Sequence, residues 1–158
     1  MLKGVNDFSI TGWIYFDKAL SGLKRFNIYR ENDNGWHGSG FDIFVENGTT
    51  NLEIESYWGN MGGLSTQQHH VKKGFIDTNQ WHCFTITRNI NGFLKLYIDG
   101  SVVDSVVNNF TDTPLVNGIL GGWYKNNVAS SSGFSSGLLD EVRFYNRALK
   151  PSEIKGFC

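Results

Sequence analysis

The segment WHCFTITRNINGFLKLYIDGSVVDSVV, Trp81–Val107, holds three runs of β-branched and aromatic residues separated by Asn91-Gly92 and Asp99-Gly100. Asn, Asp and Gly tolerate the positive φ that tight hairpin turns require. The spacing therefore predicts a three-stranded antiparallel meander. Outward from it, FSITGWIYF at Phe8–Phe16 alternates, with Phe8, Ile10, Ile14 and Phe16 on one face and Trp13 and Tyr15 on the other. Apolar groups on both faces of a strand imply a central strand covered on each side.

The same punctuation recurs at Asn34-Gly35, Asn47-Gly48 and Asn117-Gly118. Strands are predicted between these turns at Phe26–Arg30, Gly40–Glu46, Asn51–Trp58, Gly74–Ile76, Asn117–Trp123 and Gly137–Tyr145, about ten strands in all. ASSSGFSSG at Ala129–Gly137 reads as a loop. One helical turn is predicted at Lys150–Gly156, where Pro151 suits a first helical position and Glu153 the positive end of the helix dipole.

Composition bounds the rest. The 158 residues are 40% hydrophobic and 15% aromatic, with 19 glycines and 2 prolines, enough to build one packed core. A net charge of −1 supplies no positive field to gather phosphates, so a nucleic-acid partner has no support. No stretch approaches the ~18 apolar residues of a membrane span, and MLKGVNDFSI lacks the apolar run of a secretory signal. Cys83 falls in a predicted strand and Cys158 is the last residue. Two cysteines make no disulfide framework and are wrongly spaced for zinc, which leaves open whether they are free or paired. Many short antiparallel strands in one chain of this size imply two packed sheets or a closed barrel, since an open sheet would leave an apolar face wet.

Three segments, FSITGWIYF, QWHCFTITRNINGFLKLYIDG at Gln80–Gly100 and GLLDEVRFYNRALKPSEI at Gly137–Ile154, resemble in order and spacing the laminin-G-like, concanavalin A-like lectin and glucanase domains. The resemblance spans nearly the whole chain. It implies an all-β, two-sheet antiparallel jelly-roll sandwich forming a single domain over residues 1–158, with one short C-terminal helical turn. It also implies an extracellular, cell-surface or virion-surface setting. Members of the family open with a strand ahead of the FSITGW-like one, and only seven residues precede Phe8. A shortened or missing first strand would leave an edge open to a neighbouring chain.

The glucanases of that family carry three carboxylates on one strand face, two of them ~5–5.5 Å apart in a retaining site. The nearest match is Glu53-Ile54-Glu55-Ser56-Tyr57, where the third position is Tyr57. The incomplete triad argues for a non-catalytic domain, with glycoside hydrolysis as an alternative. His69 and His70 are adjacent, and so are His82 and Cys83; in a strand, neighbours point to opposite faces, which suits neither a zinc site nor a nucleophile–base pair.

The aromatic residues divide by setting. Trp13 and Trp81 lie on segments that match the family's core strands and are expected to pack inside. Trp36 stands among Asn32, Asp33 and Asn34; Tyr57-Trp58 runs into GNMGG; Trp123-Tyr124 precedes Asn126 and Asn127. An aromatic plate flanked by amides and carboxylates is what a sugar ring, with its C–H faces and hydroxyl rim, requires. Trp36, Asn34, Asp33, Tyr57, Trp58, Trp123, Tyr124 and Asn126 are therefore the candidate glycan-binding residues, the other reading being aromatics that cap the ends of the sandwich. Alternation in LLDEVRF puts Asp140 on the apolar face with Leu138, Val142 and Phe144. A carboxylate there needs a partner. The family resemblance suggests a structural calcium ion held by Asp140, and backbone donors or Arg143 or Arg147 would serve as well. Two functions follow as expectations: a glycan-binding or adhesion module, or a structural domain that decorates a larger surface assembly through protein contacts.

Overall fold

Asp99 and Gly100 adopt φ values of 49° and 76°, and Gly92 a φ of 80°, so both predicted turns of the meander close in the left-handed region where Asn, Asp and Gly are at ease. In the computed structural model the residues described are 7–16, 25–32, 39–47, 52–60, 69–107, 117–121, 123–125, 128–130 and 137–158. They form strands β1 (Phe8–Phe16), β2 (Arg25–Asn32), β3 (Ser39–Asn47), β4 (Leu52–Asn60), β5 (His69–Ile76), β6 (Trp81–Arg88), β7 (Phe93–Ile98) and β8 (Ser101–Val107), then β9 (Asn117–Leu120), β10 (Trp123–Lys125), β11 (Val128–Ser130) and β12 (Gly137–Tyr145), followed by helix α1 (Pro151–Phe157). The meander is β6, β7 and β8 in consecutive antiparallel pairing.

Two five-stranded sheets result, ordered β12-β1-β6-β7-β8 and β5-β4-β3-β2-β9, with β10 and β11 as a separate two-stranded ribbon. Every pairing is antiparallel. The core lies between the sheets. Phe8, Ile10, Ile14 and Phe16 of β1 meet Phe84 and Ile86 of β6 and Leu94, Leu96 and Ile98 of β7, and the second sheet answers with Ile28, Tyr29 and Ile43. The Tyr29 and Phe144 rings contact edge to face across the gap, 5.0 Å between centroids. Gly12 is inward as well: a Cβ there would stand 3.0 Å from the Phe84 ring and 3.1 Å from Val142 Cγ2.

The outer face of the first sheet is covered by the C-terminal segment, which explains why both faces of β1 are buried. Ser9 Oγ donates to the Arg147 carbonyl and accepts the Leu149 N–H. Leu149 and Ile154 pack on Tyr97. Glu153 holds the start of α1 in place: its carboxylate accepts the Lys150 N–H at 2.8 Å and both guanidinium ends of Arg147 at 2.8 and 2.7 Å. These donors hold the Glu153 carboxyl down at about 2, below its ordinary 4.5, the Arg147 hydrogen bond being the largest cause. A depressed carboxyl stabilises the fold above its unfolded pKa and loses that contribution as pH falls. The stability difference between the wild type and Glu153→Gln, read from urea midpoints, should therefore be full at neutral pH. It should shrink from pH 4.5 down through about 2, as the native carboxyl takes up its proton.

The structure revises several sequence expectations. β5 starts at His69, five residues before the predicted Gly74. The predicted Asn117–Trp123 strand divides into β9 and β10. Asn117-Gly118 is not a hairpin turn but lies inside β9, where Gly118 passes so close to Tyr29 that a Cβ would sit 2.7 Å from its hydroxyl. Ala129 and Ser130, expected in a loop, belong to β11.

The largest revision concerns β12. Between Thr11–Arg143 and Trp13–Asp140 the register shifts, so Glu141 and Val142 together face one residue of β1, and Glu141 takes φ 48°. This bulge reverses the alternation halfway along the strand. Leu139, Val142 and Phe144 pack on the core, whereas Leu138 and Asp140 are exposed on the opposite face. Asp140 is thus not a carboxylate on an apolar face; its Oδ1 accepts the Glu141 N–H at 2.7 Å. Arg143 pairs with Glu141 and Arg147 with Glu153, so neither arginine serves it.

Candidate functional site

The second sheet carries Tyr57 and Trp58 on β4. Ile43 is buried, and β3 pairs with β4 without a register shift over its whole length. Asp42 aligns with Arg30 of β2 and with Tyr57 of β4, and Tyr57 aligns in turn with His70 of β5. Four consecutive strands thus carry Arg30, Asp42, Tyr57 and His70 at one level of the second sheet's register. Three inter-strand steps make this row about 14 Å long.

Two residues along the strands, Asn117, Asn32, Gly40 and Gly59 align. Trp58 aligns with Phe41 and His69. Ribbon strand β10, with Trp123 and Tyr124, passes beside β2. Asp33, Asn34, Trp36 and Asn126 lie outside the described residues; Asp33 and Asn34 directly follow Asn32 in the chain, and Trp36 stands two places after Asn34.

The sequence reading did not pick out Arg30 or Asp42 and weighed His70 only as a metal ligand, because only the pairing register lines the three up with Tyr57. Glu53 and Glu55 are both on β4, and the β4–β5 register shifts between Ile54 and Ser56, at Glu55. Among the described residues no three His, Cys, Asp or Glu gather as a metal-binding group.

The outer face of the first sheet departs from expectation at its aromatics. Trp81 is 41% exposed and Trp13 half-buried, although both were expected inside. They are out of phase with Phe84 and Ile14, on the face of α1 but beyond its reach, and Trp81 leans on Tyr15 with ring centroids 5.6 Å apart. His82, one residue on, pairs through Nδ1 with Asp99 Oδ2 at 2.9 Å, while Asp99 Oδ1 accepts the Cys83 N–H at 2.9 Å. Cys83 and Cys158 form a disulfide, which settles a pairing that their spacing left open.

Residues 1–155 match the sequence profile of the concanavalin A-like lectin/glucanases superfamily. The chain belongs to this superfamily. Among curated proteins it is similar to botulinum neurotoxin type E of Clostridium botulinum, 28% identical over 110 residues, which are 62% of this chain and 8% of the toxin. Among solved structures it resembles the binding domain of botulinum neurotoxin DC in complex with SialylT, with TM-score 0.71 and 17% identity over 97% of this chain and 35% of that one. The Ruminococcus gnavus IT-sialidase CBM40 bound to α2,3 sialyllactose superposes with TM-score 0.76 and 12% identity, over 99% of this chain and 84% of that module. At these identities the likeness is one of fold. The chain spans about a third of the toxin binding domains it resembles and a small fraction of the whole toxin. The jelly-roll sandwich expected of the superfamily is the architecture observed, and these neighbours are binding modules.

Proposed function

We propose that this chain is a non-catalytic module that binds sialylated glycans on the outer face of the second sheet. The observation that carries the reading is the row Arg30, Asp42, Tyr57 and His70, which runs across four strands of a superfamily sandwich. A guanidinium suits the carboxylate of an acidic sugar because its fork of donors matches two carboxylate oxygens. Tyr57 offers a plate to a pyranose ring, and Asp42 and His70 offer partners to its hydroxyls. Trp36, Asn34, Asp33, Trp58, Trp123, Tyr124 and Asn126 are further candidate contacts in this reading. The sialylated ligands named for two structural neighbours support the choice of sugar. The disulfide fits an extracellular or surface location, where thiols are oxidised.

Calorimetry with α2,3-sialyllactose and lactose tests the reading. The wild type should bind the sialylated sugar and prefer it to lactose. Arg30→Ala should remove that preference, and Tyr57→Ala should weaken binding at least about tenfold, the loss of ~1.4 kcal/mol of contact. Glu53→Gln together with Glu55→Gln should bind as the wild type does. No binding to either sugar, or binding indifferent to Arg30, would overturn the proposal.

A further inference from the structure

The two sulfurs of the Cys83–Cys158 disulfide lie in unlike surroundings. Cys83 belongs to β6, inside the first sheet, and is 1% exposed; Cys158 follows α1 and is exposed. Around them the last turn of α1 is seated on the Asp99-Gly100 turn. A Cβ on Gly100 would stand 3.4 Å from Lys155 Cγ, 3.5 Å from Lys155 Cα and 3.7 Å from Cys158 Cβ. The glycine therefore provides the positive φ of the turn and also the space that admits the helix. The carboxylate of Asp99 ties the same turn to β6 through the Cys83 N–H and His82.

A helix of seven residues is far too short to persist alone in water. It depends on what it is fastened to. Its first turn is held by the Glu153–Arg147 pair and by Ile154 on Tyr97 and Leu149. Its last turn has the Phe157 ring near Tyr145, the Cys158 N–H on the Ile154 carbonyl, and the disulfide. Neither sheet uses any residue of α1 in its strand pairing.

We infer that Cys158 is a site of thiol–disulfide exchange with small thiols of the glutathione class, and that the exchange unlatches α1 while the sandwich stays folded. A thiolate approaching from solvent reaches Cys158, an exposed residue, ahead of Cys83, which is buried in β6. It forms a new S–S bond to Cys158 as the old bond breaks and its electron pair leaves on Cys83. Cys83 takes up a proton from solvent, replacing the one the small thiol gave up. The incoming sulfur is oxidised, that of Cys83 is reduced, and no other oxidant is needed. Lys155, one helical turn before Cys158, favours the approach of an anion. Cys83 remains fixed in β6, poised to displace the small thiol when α1 seats again.

The test is to incubate the intact chain with a glutathione redox mixture under native conditions, quench with an alkylating agent, and map both adducts and amide hydrogen exchange by mass spectrometry. Glutathione should be found on Cys158 with Cys83 alkylated as a free thiol after unfolding. Exchange over residues 149–158 should quicken at least tenfold, while β1, β6 and β7 stay protected. A Cys83→Ser variant should show the same fast exchange in 149–158 untreated and should take glutathione on Cys158. Glutathione on Cys83, no adduct, unchanged exchange over 149–158, or loss of protection in the strands would each overturn the inference.

Discussion

Replacing Cys83 and Cys158 with alanine should lower the free energy of unfolding by about 4–5 kcal/mol, the loop-closure entropy of a link across 75 residues. The bond acts mainly on the unfolded chain. It ties a strand in the middle of the sequence to the segment after α1, so the disulfide-bonded unfolded ensemble is already confined. Urea unfolding of the double variant beside the oxidised wild type is the measurement. A shift under about 1 kcal/mol would mean that the unfolded chain keeps the two ends together without the bond. This global effect is separate from the local unlatching of α1, which concerns the native state.

Phe84→Ala should cost about 3–5 kcal/mol, the usual range for deleting a fully buried aromatic ring. Phe84 has no exposed surface and sits at the middle of the core, in register with Gly12 of β1. Its ring occupies the space that a side chain at position 12 would take, so the surrounding strands, pinned by their ladders, have little freedom to close the void. The glycine makes the argument testable a second time. Gly12→Ala in the wild type forces a methyl group to within 3.0 Å of the ring and should destabilise; in the Phe84→Ala background, where only the 3.1 Å approach to Val142 remains, the same change should cost clearly less. The coupling, taken from chemical denaturation of all four proteins, should exceed about 1 kcal/mol, as expected for residues in direct contact. Additive effects would show that the ring and the glycine do not share one volume.

Much of the sandwich was legible because its signals are local. The period-two runs and the Asn-Gly and Asp-Gly pairs depend only on which residues tolerate an extended backbone and which a left-handed one. β1, β6, β7, β8, β12 and the Pro151 helix were therefore predicted nearly to the residue. Asn117-Gly118 shows the limit of the same signal: the dipeptide also suits a strand in which glycine makes room for Tyr29. At the candidate site, Tyr57 was picked out by its aromatic neighbour and the glycines after it. Arg30, Asp42 and His70 were not, since their alignment with Tyr57 is a property of strand register across β2, β3, β4 and β5.

Asp140 marks the division most sharply. By itself the sequence determines that Gly137–Tyr145 is a strand, because its β-branched and aromatic residues favour an extended chain wherever it lies. It does not determine which face Asp140 takes. That is decided by the pairing with β1, where the bulge at Glu141, opposite Gly12, turns the first half of β12 over. The disulfide belongs to the same class, since only the folded path of the chain brings Cys158 to Cys83. Local conformational preference acts between neighbours in the chain and can be read there; register, bulges and cross-links are set by steric fit between residues far apart in it, and exist only once the sheets have formed.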